Sequence, residues 1–128
     1  MTPDGAIIEE YWPFGQSALN WTEMFTWQYF PDRPGQATPR AIMEDLKRIR
    51  MSRNPDTEWK IVSKFKGSII YEWKVHDELG VGDYYEIARI MVGADGIYIF
   101  HYATKQVSIS LHDRREWART LKKIDLIS

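Results

Sequence analysis

Residues 84–102 read YYEIARIMVGADGIYIFHY, and this stretch decides the fold. Two runs rich in Ile, Val, Tyr and Phe flank Gly93-Ala94-Asp95-Gly96, and an Asp-Gly step between such runs predicts a β-hairpin. Side chains alternate between the faces of a strand. One face carries Ile87, Met91, Tyr98, Phe100 and Tyr102, and the other carries Ala88, Ile90, Val92, Ile97 and Ile99. Because both faces are largely apolar, we expect the hairpin to lie in the middle of the sheet, with another element of the structure packed on each face.

The rest of the chain predicts four more strands and two helices. Apolar runs and alternation predict strands over 6–12, 20–30, 58–65 and 69–76. N-cap signals at Thr38-Pro39 and Ser110, followed by apolar residues at helical spacing, predict helices over 39–51 and 111–123. The element order is ββαββββα. We therefore expect a single α+β domain over residues 1–128, a central antiparallel sheet of about six strands with one amphipathic helix on each face.

The same spacing predicts which side chains are buried. Ile42, Leu46 and Ile49, backed by Met43, form the expected buried stripe of the first helix. The hairpin over 58–65 and 69–76 is expected to be one-faced, with lysines and glutamates on its solvent side. Its inward residues are expected to be Trp59, Ile61, Phe65, Ile69, Tyr71, Trp73 and Val75.

Composition and motifs argue against several classes of function. The chain has 17 basic and 18 acidic residues and a formal charge of −1, so a nucleic-acid partner is not expected. It has no cysteine, no apolar run near the ~20 residues of a membrane span, and no visible signal peptide. We expect a cytoplasmic protein, or a periplasmic one if a signal peptide has been removed. No metal-ligand spacing, phosphate loop or nucleophile motif is present, so we predict no catalytic residue, metal or cofactor.

Glu86 and His101 are polar residues on one face of the central hairpin. Two registers are open: a tight turn places His101 opposite Ile90, and a longer loop places it opposite Ala88. Glu86 and His101 share a face in both registers, and in the second they are close enough to pair diagonally. Such a pair is either a satisfied polar contact at the end of the sheet or a general base held by a carboxylate.

Arg89 lies on the other face of the hairpin, opposite either Phe100 or Tyr102. One interpretation is a cation over an aromatic ring. The other is an anion-binding arginine at the floor of a pocket. Because an unpaired buried charge is costly, Glu23 or Glu72 from another strand is expected to pair with it.

Aromatic residues also cluster just before the first long strand, at Tyr11, Trp12 and Phe14. Pro13 and Gly15 place them in a turn. They either pack over the end of the sheet or form a surface that a partner protein recognises.

Several short motifs spread over most of the chain carry a resemblance to known proteins. They are Asn20-Trp21-Thr22-Glu23-Met24, Ile70-Tyr71-Glu72-Trp73, Glu86-Ile87-Ala88-Arg89-Ile90, Gly96, His101-Tyr102-Ala103, Arg115 and Trp117. In these the chain is similar to small uncharacterised bacterial α+β proteins, and its architecture resembles the PsbP-like fold. That fold is shared by a photosystem accessory subunit and a nuclear-transport factor that binds a small GTPase. The resemblance implies binding and assembly, and it implies no catalytic residues. The bacterial proteins often carry a signal peptide and cysteines, which are not seen here.

Two functions follow as hypotheses. The first is a non-enzymatic module that binds a partner protein through an aromatic surface or shallow groove, with Tyr11, Trp12 and Phe14 as the candidate surface. The second is a small-ligand protein, or an enzyme, with a pocket between sheet and helix floored by Arg89. The candidate residues of that site are Arg89, Tyr102, Trp73, Trp27, Glu86 and His101.

Overall fold

The computed structural model describes residues 5–17, 22–31, 38–65, 67–76, 82–105 and 110–124, so residues 20 and 21 of the predicted strand 20–30 lie outside it. Its strands are β1 (Ile7–Tyr11), β2 (Glu23–Pro31), β3 (Glu58–Phe65), β4 (Ser68–Val75), β5 (Tyr84–Val92) and β6 (Gly96–Thr104). Its helices are α1 (Pro39–Arg53) and α2 (Leu111–Lys123). The strands form one antiparallel sheet in the order β1-β2-β6-β5-β4-β3. The predicted fold class and element order are confirmed.

β5 and β6 form the predicted central hairpin. Val92 is opposite Ile97 and Ala88 is opposite His101, so the hairpin adopts the longer loop of the two open registers. β4 flanks β5 and β2 flanks β6, so each strand of the hairpin is hydrogen-bonded along both edges. Both faces of the hairpin are apolar because residues of α1 pack on one of them and residues of α2 on the other.

Each face of the sheet packs on one helix, as predicted. We call the two faces the α1 face and the α2 face after the helix that covers them. The buried residues of the α1 face are Met43, Ile69, Tyr71, Trp73, Val75, Ala88, Ile90, Ile97 and Ile99. Those of the α2 face are Ile70, Tyr85, Ile87, Tyr102 and Leu121. Removal of these side chains from water is the main favourable contribution to folding.

Both helices begin where the sequence predicts. The Thr38 side chain accepts a hydrogen bond from the Ala41 backbone N–H at 3.1 Å, and the Ser110 side chain accepts one from Asp113 at 3.0 Å. These caps satisfy N–H groups that have no partner within the helix. α1 continues to Arg53, past its predicted end at residue 51. Neither described helix is long and apolar enough to cross a membrane.

Two predicted burial patterns are wrong. Ile70 and Glu72, which alternation places on the solvent side of a one-faced hairpin, are buried. Both faces of β4 are covered, because one packs in the cluster of Met43 from α1 and the other in the cluster of Leu121 from α2. On α1, Met43 is fully buried and Ile49 is exposed, so the buried stripe is centred on Met43.

A β-bulge at Val62 changes the face of Phe65. Ile61 pairs with Tyr71, but the next pair is Ser63 with Ile70, so one extra residue lies on β3. Alternation predicts Phe65 on the face of Trp59. The bulge instead turns Phe65 to the α2 face, where its ring centroid lies 4.6 Å from the Arg89 guanidinium carbon.

Candidate functional site

The sheet separates the six residues predicted to line a ligand site. Trp73, Glu86 and His101 lie on the α1 face, whereas Trp27, Arg89 and Tyr102 lie on the α2 face. The expected single pocket containing Arg89, Tyr102, Trp73 and Trp27 is therefore not formed, because Trp73 projects from the opposite side of the sheet. The geometry instead points to separate sites on the two faces.

Glu86 and His101 form the diagonal pair that the longer-loop register predicts. His101 Nδ1 lies 3.1 Å from Glu86 Oε1, with side-chain exposures of 18% and 13%. The other carboxylate oxygen of Glu86 accepts a hydrogen bond from Trp73 Nε1 at 3.0 Å. Burial by itself lowers the pKa of His101, but the Glu86 carboxylate, helped by Glu10, raises it above its ordinary value of 6.5. The Glu86 carboxylate therefore favours the protonated form of His101 on the α1 face.

This pair lies in a cleft of about 230 Å³ between α1 and the sheet, which we call the α1 cleft. Its lining residues are Gln28, Leu46, Ile49, Arg50, Arg53, Trp59, Tyr71, Trp73, Glu86, Ile99 and His101. The Arg50 guanidinium carbon lies 4.7 Å from the Trp73 ring centroid, a cation–π contact that holds it over the sheet. The α1 cleft thus combines apolar rings with arginine, histidine and glutamate side chains.

Arg89 is buried beneath the end of α2 and is 5% exposed. Its Nη1 donates to the carbonyl oxygens of Leu121 at 2.8 Å, Lys122 at 3.3 Å and Ile124 at 2.7 Å. Its Nε donates to Ser68 Oγ at 2.6 Å. The last carbonyl oxygens of a helix have no partner within it and carry a partial negative charge. Arg89 therefore acts as a cap for the C-terminal end of α2, rather than as the floor of a pocket.

Glu72, one of the two carboxylates expected to pair with Arg89, lies in a different network. It accepts a hydrogen bond from the Tyr85 hydroxyl at 2.5 Å, and Arg114 Nη2 on α2 lies 3.2 Å away. Burial and this hydrogen bond raise the pKa of Tyr85 well above its ordinary value. The network borders a groove of about 240 Å³ near the β3 edge, lined by Glu58, Trp59, Lys60, Glu72, Trp73, Lys74, Tyr85 and Arg114. Its role in the described structure is to join α2 to the sheet.

A second set of aromatic residues forms an open groove of about 290 Å³ beside α2, which we call the aromatic groove. Its lining residues are Tyr11, Trp12, Pro13, Glu23, Met24, Phe25, Tyr102 and Trp117. Tyr102 stacks on Trp117 with centroids 4.0 Å apart, and Phe25 lies 6.1 Å from the same indole. Tyr102 donates to Glu23 at 2.8 Å, and burial together with this bond raises its pKa to about 12. These contacts fix the positions of the Phe25, Tyr102 and Trp117 rings.

Phe14 directly follows Pro13, which lines this groove, and is fully exposed. It belongs to the turn that follows β1, where the Gln16 backbone N–H donates to the Pro13 carbonyl at 3.0 Å. The Gln16 side chain ties this turn to the start of β2, since its Oε1 accepts from the Thr22 backbone N–H at 2.7 Å. Tyr11 is also exposed. Packing over the end of the sheet is therefore the wrong interpretation for Phe14 and Tyr11.

Sequence reasoning missed several residues of both sites. Trp117 enters the sequence prediction only among the motifs of the resemblance, and Arg50 and Arg53 do not enter it. The signal for Trp117 is its position one turn before Leu121, which places both on the α2 face. The arginines gave no comparable signal, because nothing in the spacing of α1 places them over Trp73.

The chain was compared with protein-family models, with curated proteins and with solved structures, and none of the three comparisons gave a match. Among the described residues, no group of three or more His, Asp or Glu side chains is arranged to hold a metal ion. The function is therefore inferred from the geometry of the two faces.

Proposed function

We propose that this chain is a non-enzymatic binding module that recognises a partner protein through the aromatic groove and Phe14. One observation carries the proposal: a fully exposed phenylalanine directly follows Pro13 at the end of a groove lined by Tyr11, Trp12 and Trp117. A large apolar side chain that is wholly in water contributes nothing to folding. Next to other exposed apolar surface, it is typical of an interaction site.

The packing of the groove favours tight recognition. Rings that are already stacked lose little conformational freedom when a partner binds, so more of the contact energy is retained. Trp and Tyr are also the residues that most often dominate binding energy at protein interfaces. Glu9 and Glu23 add negative charge nearby, since Glu9 accepts a hydrogen bond from Trp27 on the same face. A partner segment with apolar residues and a flanking basic residue fits this surface.

The resemblance to the PsbP-like fold supports the same proposal, because members of that fold act mostly by binding and assembly. The second hypothesis, a ligand pocket floored by Arg89, loses its support because Arg89 is engaged by the end of α2. A ligand site on the α1 face is a separate question.

Capture from a lysate of the source organism tests the proposal. The full chain is immobilised as wild type, as Phe14→Ala and as Val62→Thr, and retained proteins are identified by mass spectrometry. Val62 is the matched control, because it is also exposed but lies on β3, at the opposite edge of the sheet from β1. We expect a partner that the wild type and Val62→Thr both retain and that Phe14→Ala loses.

Direct titration of the captured partner then gives the magnitude. Loss of a hot-spot phenylalanine costs about 2 kcal/mol or more, which is a decrease in affinity of roughly 30-fold. Phe14→Ala should leave the free energy of unfolding within about 0.5 kcal/mol of wild type, because the side chain makes no buried contact. If no partner is retained reproducibly, or if Phe14→Ala and Trp12→Ala both bind it with wild-type affinity, the proposal is wrong.

A further inference from the structure

The α1 cleft carries more positive than negative charge. α1 contributes Arg50 and Arg53 from its last turns, and the sheet contributes Glu86 and His101. Two guanidinium groups thus face one carboxylate, before any proton on the histidine is counted. The whole chain carries a formal charge of −1, so this local excess does not reflect a generally basic surface.

The floor of the cleft is apolar. Trp59, Tyr71, Trp73 and Ile99 line it from the sheet, and Leu46 lines it from α1. The rings of Trp59 and Tyr71 cover each other, with centroids 4.7 Å apart and planes 9° from parallel. The apolar part of a ligand would be removed from water here, beside cationic groups that can bind an anion. The two arginines and the apolar lining together favour a molecule that carries an anionic group on an apolar body.

We propose that the α1 cleft binds a small organic anion, a carboxylate carried on an apolar body. Arg50 and Arg53 bind the carboxylate, since a guanidinium presents its N–H donors in a fork that matches two oxygens. Leu46, Ile99 and Trp59, which line the cleft, lie against the apolar body. The cleft volume of about 230 Å³ is below the range of sites for drug-sized ligands, ~300–1,000 Å³, so the ligand is small.

NMR titration of the full chain tests the site. In two-dimensional ¹H–¹⁵N spectra the indole N–H signals of Trp59 and Trp73 report on the cleft, and those of Trp12 and Trp117 report on the aromatic groove. The probes are benzoate, phenylacetate and hexanoate, each up to about 10 mM. This range detects a dissociation constant of about 1 mM or tighter. Benzamide is the neutral counterpart of benzoate. Inorganic phosphate is the anion without an apolar body.

We expect saturable shifts at Trp59 and Trp73 with at least one carboxylate. Benzamide should bind about 10-fold more weakly than benzoate, because it lacks the charge that pairs with the arginines. Arg53→Gln should weaken carboxylate binding about 10-fold, for the same reason. Arg40→Gln is the matched control, since Arg40 lies in the first turn of the same helix and pairs with Glu44. It should bind like the wild type.

Four results would overturn the inference. They are no saturable shift with any carboxylate, equal binding of benzamide and benzoate, phosphate binding as tight as that of the carboxylates, and shifts confined to Trp12 and Trp117. Arg53 is exposed, so Arg53→Gln remains informative even if substitution of the more buried Arg50 impairs folding. Phe14→Ala should bind the carboxylate like the wild type, which keeps this test separate from that of the partner surface.

Discussion

Replacing Arg89 with methionine tests whether this residue attaches the end of α2 to the sheet. Methionine retains much of the side-chain volume next to Phe65 but removes the charge and every hydrogen bond. The carbonyl oxygens of Leu121 and Ile124 then lose their donor. We expect Arg89→Met to fold with a large loss of stability and with the contact between α2 and the sheet weakened first.

The magnitude follows from the hydrogen bonds. Nη1 carries two hydrogens, so three carbonyl oxygens share them, and the 3.3 Å contact with Lys122 contributes least. Three strong bonds remain, at 2.6, 2.7 and 2.8 Å. At about 1.5 kcal/mol for each bond from a charged donor, the free energy of unfolding falls by roughly 4–5 kcal/mol.

Urea unfolding followed by tryptophan fluorescence measures this loss. With a slope of about 2 kcal/mol per M, the midpoint should fall by roughly 2 M. The urea midpoint of Arg89→Lys should lie between those of the wild type and Arg89→Met, because an ammonium group keeps the charge but presents no planar fork. Arg119→Met is the control on the exposed side of α2, where a surface ion pair with Glu116 contributes ~0.5 kcal/mol. A loss below about 1 kcal/mol for Arg89→Met, or an equal loss for Arg119→Met, would refute the capping role.

Two further predictions concern the other polar residues between the sheet and its helices. The folded-state pKa of His101 is raised, so its protonation stabilises the fold below the ordinary value of 6.5, and this contribution is lost as pH rises through the folded pKa. Urea unfolding should therefore show that Glu86→Gln costs more stability at pH 5.5 than at pH 8.5, and equal costs would contradict this. Tyr85→Phe should lower the free energy of unfolding by about 1.5–3 kcal/mol, because its hydroxyl donates to the buried Glu72 carboxylate. Tyr98→Phe, at an exposed bond to Asp95, should change it by less than about 0.5 kcal/mol in the same assay.

The fold could be predicted from sequence to the extent that it depends on local patterns. The two apolar faces of residues 84–102 required a central hairpin, and the N-caps Thr38 and Ser110 marked where the covering helices begin. The burial of Ile70 could not be predicted in the same way. Whether the second face of a strand is buried depends on what packs against it, and Ile70 of β4 packs in the cluster of Leu121 from α2. A bulge at Val62 likewise depends on pairing with β4 rather than on β3 alone.

The candidate sites show the same division between local and distant contacts. The diagonal approach of Glu86 to His101 follows from hairpin register, so residues 84–102 were enough to place it as one of two alternatives. The partners of Arg89 are backbone carbonyl oxygens more than 30 residues further along the chain, at Leu121 and Ile124. A backbone carbonyl has no side-chain signature, so a search for a charged partner pointed to Glu23 and Glu72. Sequence reasoning could identify an arginine that needed a partner, but not a helix end as that partner.

The geometry of the sheet explains why candidate sites occur on both faces. Six strands about 4.8 Å apart span roughly 24 Å, whereas a helix with its side chains is only about 10 Å wide. One helix on each face therefore leaves apolar sheet surface open at its flanks. The α1 cleft and the aromatic groove both lie there, and they share no lining residue. His101 and Tyr102 are consecutive residues of β6, yet they reach opposite faces. β6 is hydrogen-bonded along both edges, which holds it in one position in the sheet. A ligand on one face therefore has no second position of β6 to stabilise, and coupling between two sites requires such a second state. We therefore expect the two sites to bind independently.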